Sequence, residues 1–154
     1  MNNCKDVVYV DKSNFDLVLP LIEEYQRFYG ATPDIKKNRL FFEKTILNSS
    51  TAKQFIIIDS NGRGLGFATL YQFYSSTQAA DVLVMNDLYV RKESRGKGLG
   101  RQLITACYDH ACREGYPAIQ WTTAFDNEVA QQLYNGIPKI KKSSWLHYRL
   151  AIEG

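Results

Sequence analysis

The chain has 154 residues, 45% of them hydrophobic, which suits one domain of ordinary size with enough apolar side chains for a core. Its 19 Lys and Arg against 16 Asp and Glu give a formal charge of +3, which admits an anionic ligand but is too small an excess to argue for nucleic acid. No apolar run is long enough to span a bilayer, no secretory leader pattern opens the chain, and Cys4, Cys107 and Cys112 give no disulfide framework. A reduced, cytoplasmic protein with a single domain over residues 1–154 is therefore expected.

VVYV at 7–10 reads as a short strand, and Asp11 or Ser13 is placed to cap the helix that follows. That helix, FDLVLPLIEEYQRFYG, ends at Gly30, with Pro20 expected to kink or break it. Thr32-Pro33-Asp34 opens a second helix carrying Leu40, Phe41, Phe42, Ile46 and Leu47. QFIIID, a turn at Ser60-Asn61-Gly62 and GLGFATLYQFY read as a β-hairpin, and a strand at 81–90 completes a meander. Further on come a strand at 118–123 (AIQWTT), a helix from Asp126 to about Asn135 and a last strand, WLHYRL, at 145–150. Two helices, a meander, then helix, strand, helix and strand predict an α/β fold: a mixed, largely antiparallel sheet flanked by helices.

Between the meander and AIQWTT lies RKESRGKGLGRQLI, with Gly96, Gly98 and Gly100 at alternate positions and Arg95, Lys97 and Arg101 among them. Three glycines are costly in backbone entropy unless something must approach the main chain. The helix that follows carries Leu103, Ile104, Cys107, Tyr108 and Ala111 on an apolar face and closes at Gly115. A strand, a basic glycine loop and a helix N-terminus suit an anion, because unpaired N–H groups and the positive end of the dipole meet there. A Walker loop is excluded, since Arg101 and Gln102 follow Gly100, and a Rossmann fingerprint is excluded by Leu103 at its third glycine. Cys107 and His110 lie one turn apart, but with no second ligand pair Cys107 reads better as a small core residue, and no metal is expected. Lys36-Lys37 and Lys139-x-Lys141-Lys142 lack interleaved aromatics and read as solvated turns rather than a nucleic-acid surface.

Arg95-x-x-Gly98-x-Gly100, after DLYV and before a helix, resembles the acetyl-CoA pyrophosphate loop of the GNAT superfamily of N-acetyltransferases. Asn127, Ala130 and Tyr134 match that family's Asn-x-x-Ala-x-x-x-Tyr helix, and the order of elements matches over nearly the whole chain. GFATLYQFYSS and LIEEYQRFYG look most like the subgroup that contains the diamine and polyamine acetyltransferases. The resemblance implies a GNAT-type fold and acetyl-CoA as cosubstrate. Arg95, Gly96, Lys97 and Gly98 would surround its pyrophosphate together with Leu99, Gly100 and Arg101 at the helix start. Leu88, Tyr89 and Val90 would pair through their main chain with the pantetheine arm, which behaves as an added strand. Asn127 would bond the pantetheine, and Tyr134 would protonate the departing thiolate. The chain departs from the family after Tyr134, where Asn135-Gly136-Ile137-Pro138 replaces a basic residue and Gly-Phe.

The acceptor must lose a proton, because an alkylamine with a pKa near 10.4 is neutral in less than about one part in a thousand at pH 7. Asp87 is the nearest candidate base; Asn86 stands where polyamine-acetylating relatives commonly carry a glutamate. The base is therefore Asp87 acting through water, Glu23 or Glu24 from the first helix, or solvent. The family's arrangement would bring Glu23, Glu24 and Asp87 toward the acceptor, where a cluster would favour a diamine or polyamine. The favoured reading is an acetyl-CoA-dependent N-acetyltransferase of a small primary amine, with homodimerization implied by relatives and no nucleic-acid or membrane partner. The alternatives are a protein lysine or N-terminal acetyltransferase and an acyl-CoA-binding module without turnover.

Overall fold

The computed structural model describes residues 6–152, so Cys4 lies outside the described residues. They cluster into two units, Met1–Thr122 and Thr123–Gly154. In the first unit, β1 (Asp6–Tyr9), β2 (Ala52–Ile58), β3 (Gly64–Ser75), β4 (Ala80–Val90) and β5 (Ile119–Gln120) form one sheet in the order β1-β2-β3-β4-β5. The first four strands are antiparallel neighbours; β5 joins β4 in parallel, after a helical crossover of the kind parallel pairing requires.

Helices cover both faces of the sheet. On one, α1 (Phe15–Phe28) buries Phe15, Val18, Leu19, Leu21 and Ile22 at helical spacing, in a core with Ile56, Phe67 and Tyr89 from the strands. On the other, α3 (Leu99–Glu114) buries Leu103, Ile104, Cys107 and Ala111. Ile56 and its neighbour Ile57 are both fully buried, one toward each face, each burial worth about 1.5–3 kcal/mol. Burial pushes the Cys107 thiol up to about 12, which makes it a packed hydrophobe.

Several expectations change. Asn14, not Asp11 or Ser13, precedes α1; its side chain is occupied with the Asp11 N–H and the Tyr9 carbonyl, while Asp11 accepts from Ser13. Pro20 does not break α1, which runs through it to Phe28. Asp34 caps α2 (Ile35–Phe42) by accepting from the Lys37 N–H at 3.0 Å, and a π-helical turn, Glu43–Leu47, continues the helix. On α3 the expected face is buried except for Tyr108, which is exposed, and His110 joins the buried stripe. The strand expected at 118–123 shrinks to Ile119–Gln120.

The second unit contains α4 (Glu128–Asn135), capped by Asn127. The expected strand at 145–150 is absent: the segment forms no strand, and Trp145, Leu146, Tyr148 and Leu150 are exposed. A strand needs a partner ladder, and among the described residues none pairs with this segment. No helix among them is long and apolar enough to cross a membrane.

Candidate active site

The site is built around an irregularity in β4. Thr69 of β3 pairs with Asp87, and the next residue, Leu70, pairs with Met85, so Asn86 is an extra residue in β4. Such a bulge bends the strand and re-aims its side chains. Asn86 is exposed, and the Asp87 side chain enters the α1 face of the sheet, 7% exposed. Gln54, Thr69 and Asp87 are register partners across β2, β3 and β4 and therefore share that face. The Gln54 amide donates to the Thr69 hydroxyl at 3.0 Å, and Thr69 in turn hydrogen-bonds Asp87. Asn86 Nδ2 donates to Asp87 Oδ1 at 3.0 Å, and Tyr25 of α1 supplies another hydrogen bond. Burial pushes the Asp87 carboxyl above the ordinary carboxylate value, and these donors offset part of the rise.

Asp87 and Asn86 line a cavity of ≈ 320 Å³. Its other walls are Ile22, Tyr25 and Gln26 from α1, Phe41 and Phe42 where α2 passes into the π-helical turn, and Phe67 and Tyr71 from β3. Gln26 is occupied in a reciprocal amide pair with Asn38, both bonds 2.8 Å. The Tyr71 hydroxyl is pushed up to about 12 by burial and by the nearby Asp87 charge. The volume suits a small molecule, and the walls are apolar apart from a few polar groups.

Glu23 and Glu24 do not line this cavity. Glu23 pairs with Arg27 one turn on, at 3.4 Å. Glu24 pairs with Arg91 at 3.0 Å and accepts from the Tyr89 hydroxyl at 3.3 Å. The acidic cluster expected from Glu23, Glu24 and Asp87 is therefore not assembled around the cavity: two of its members are held by cations of their own.

From Asp87, β4 continues through Leu88, Tyr89 and Val90, which pair with β3 on one side. On the other side β5 pairs only with Leu83 and Val84, so beyond Val84 this edge of β4 has no strand partner among the described residues. The chain then turns through Gly96 and Gly98, both at positive φ (+73° and +76°), into α3 at Leu99 and Gly100. A Cβ would meet nothing at either glycine, so what requires glycine there is the left-handed backbone. Gly98 has no side chain to cap the helix, whose first N–H groups have no intrahelical acceptors. Arg101 lies in that first turn. Lys97 reaches back to the Glu93 carbonyl at 3.2 Å. Arg95 donates from Nε to the Val90 carbonyl at 2.9 Å, and its guanidinium lies 5.4 and 5.6 Å from the Phe28 and Tyr89 ring centres. Its partners here are thus β4 and two rings.

In the second unit, Asn127 is the N-cap of α4, its side-chain oxygen accepting from the Ala130 N–H at 3.2 Å. It therefore stands at the helix entrance, seven residues before Tyr134. Tyr134 is partly buried, as are Ala130, Gln131 and Leu133.

Sequence reasoning missed Gln54, Thr69 and the aromatic walls. Gln54 and Thr69 left a signal, as polar residues within apolar strands; the aromatics read only as core.

The family model of the acetyltransferase (GNAT) family matches residues 18–136. The chain is 28% identical over 135 residues to an uncharacterized N-acetyltransferase, YhfO, of Bacillus subtilis (strain 168), covering 88% of this chain and 89% of that one. It is 41% identical over 76 residues to the D-amino-acid N-acetyltransferase HPA3 of Saccharomyces cerevisiae, a stretch covering 49% of this chain and 47% of the yeast protein. A solved structure of a probable acetyltransferase superposes with a TM-score of 0.85 at 29% identity, covering 97% of this chain and 99% of that one. The matched family model spans both the bulged strand with its glycine loop and the Asn127–Tyr134 helix, and the chain belongs to the acetyltransferase (GNAT) family of N-acetyltransferases.

Proposed function

We propose that the chain transfers the acetyl group of acetyl-CoA to a primary amine of a small molecule, by direct attack in a ternary complex. The observation that carries this reading is the run from Val84 to the start of α3: a buried carboxyl on an acceptor-sized cavity, a strand edge open beyond Val84, and a helix start that no side chain caps. Acetyl-CoA supplies the activated acyl group. The α3 start and Arg101 hold its pyrophosphate, and the main chain of Leu88, Tyr89 and Val90 pairs with its pantetheine arm as an added strand would. Asp87 accepts the proton that the attacking amine loses. Burial raises its basicity toward the working pH, which favours proton transfer. The amine nitrogen bonds to the acetyl carbon as the carbon–sulfur bond breaks, and Tyr134, the family's proton donor, delivers its phenolic proton to the sulfur. A small acceptor agrees with the cavity volume, and the yeast relative is named for an amino acid rather than a protein.

Calorimetric titration with CoA and a thiol-release assay with acetyl-CoA test the two halves. Gly98→Val strains a backbone at φ +76° and puts bulk against the phosphates, so a folded variant is expected to lose CoA affinity. Tyr134→Phe is expected to lower kcat about 10²-fold with CoA affinity unchanged. Undiminished CoA affinity in folded Gly98→Val overturns the anion site. Wild-type kcat for Tyr134→Phe between about pH 6 and about pH 9 removes Tyr134 from the reaction.

A further inference from the structure

Resting on that reading, we infer that the acceptor is a monoamine on an apolar skeleton, an arylalkyl or alkyl amine with neither a second ammonium nor a carboxylate. The walls of the Asp87 cavity carry the inference. Five aromatic rings (Tyr25, Phe41, Phe42, Phe67 and Tyr71) line it, and Asp87 is the only charged group among its lining residues. One ammonium can therefore be met by one carboxyl, and the remainder of the molecule meets mainly rings and Ile22, beside the neutral Gln26 and Asn86 amides.

A second ammonium would be desolvated against ring faces. These attract cations only modestly, and the neutral amide and hydroxyl oxygens of the lining do not replace a second carboxylate. The carboxylates that could have served it, Glu23 and Glu24, are paired with Arg27 and Arg91 and lie outside the lining. A carboxylate on the acceptor fares no better: no Arg or Lys lines the cavity, and Asp87 repels it.

The surroundings extend the apolar character. Tyr25 stacks edge-on with Tyr29 at 4.9 Å, and Tyr29 with Phe28 at 5.1 Å, so rings continue from the cavity wall to the surface of α1. Phe28 and Tyr29 are more than half exposed, and Phe41 is half exposed. The same apolar walls lower the pKa of an enclosed ammonium, so the skeleton that fits also eases the proton transfer to Asp87.

The test measures kcat/KM at saturating acetyl-CoA for 2-phenylethylamine, D-phenylalanine, spermidine and a lysine peptide, at low and high salt. Titration of the same four compounds into the CoA-bound protein reads the preference without turnover. 2-Phenylethylamine is expected to exceed each of the others by at least about tenfold and to vary less than about twofold with salt. Phe41→Ala is expected to lower its kcat/KM about tenfold more than that of methylamine, which has no ring to lose contact. Preference for spermidine, D-phenylalanine or the peptide overturns the inference while leaving acetyl transfer standing. So does an equal loss for both amines in Phe41→Ala. Selective binding of 2-phenylethylamine without transfer to any amine has the opposite meaning: the acetyltransferase reading fails and the pocket assignment survives. If CoA and all four compounds fail to bind, both fall.

Discussion

One face of the sheet buries a carboxyl and the other an imidazole, and only one of the two is suited to chemistry. On the α1 face Asp87 borders a ≈ 320 Å³ cavity. On the α3 face His110, 5% exposed, borders a cavity of ≈ 50 Å³ with Lys53, Glu114 and Tyr116. Burial disfavours the charged form of both, raising the Asp87 carboxyl and lowering the His110 imidazole. The difference lies in what each group faces. The Tyr9 hydroxyl takes a hydrogen bond from Arg113 and shares another with His110 Nδ1 at 2.9 Å, and the rings of Tyr9 and Phe55 hold the imidazole at 5.8 and 6.0 Å. His110 is closed off by partners, with room beside it for little more than water. Asp87 is held by comparable hydrogen bonds but opens onto space for another molecule. A shifted pKa marks a reactive group only where a substrate can reach it.

The largest expected effect separates the two groups by rate. Asp87→Asn keeps the shape and deletes the base, so kcat/KM for the best amine should fall by about 10²–10⁴-fold near pH 7. His110→Gln should leave kcat/KM within about twofold. Steady-state kinetics on both variants checks this, and equal losses would break the comparison.

Stability should order the same positions the other way. His110→Ala leaves a void and strips a partner from Tyr9, at a cost of about 2–3 kcal/mol in urea unfolding. Asp87 has a folded-state pKa raised above its ordinary 3.8, so the native state holds the extra proton and stability falls as pH rises through the folded pKa. Asp87→Asn should therefore melt higher than the wild type near pH 8, and the gain should vanish in acid. For His110, lowered from 6.5, the unfolded chain holds the extra proton. Wild-type stability should fall as pH drops below that value, and His110→Gln should flatten the fall. Melting curves across pH read both signs.

The smallest effect sharpens the Asp87 side. Thr69→Val removes the hydroxyl between Gln54 and Asp87. Losing a donor to the ionized carboxylate raises its pKa further, so the acid limb of the kcat/KM profile should move to higher pH. The rate at neutral pH should drop about threefold to tenfold. An unmoved acid limb would leave Thr69 a structural residue.

Local chemistry made much of this protein legible from its sequence. The hairpin at Ser60–Gly62, the Asp34 cap and the glycine entry to α3 follow from backbone preferences that act within a few residues, so they could be read without knowing what packs nearby. The helical period of α3 and the face it buries were legible too, except at Tyr108, which is exposed, and at His110, which is buried. Leu103, Cys107 and Ala111, four apart, set the buried stripe. His110 falls on it at seven from Leu103, whereas Tyr108 stands about 100° from Cys107. Tertiary structure decided the rest, because it depends on which strand lies opposite which. The extra residue Asn86 exists only relative to β3 and leaves no mark in the run VMNDLYV. The aromatic cavity needs rings from α1, the end of α2 and β3. Glu24 is withdrawn by Arg91, and Glu23 by Arg27, because a charge takes the nearest partner the fold offers. WLHYRL alternates as a strand should, yet a strand is a relation between two segments, and one segment cannot supply the other.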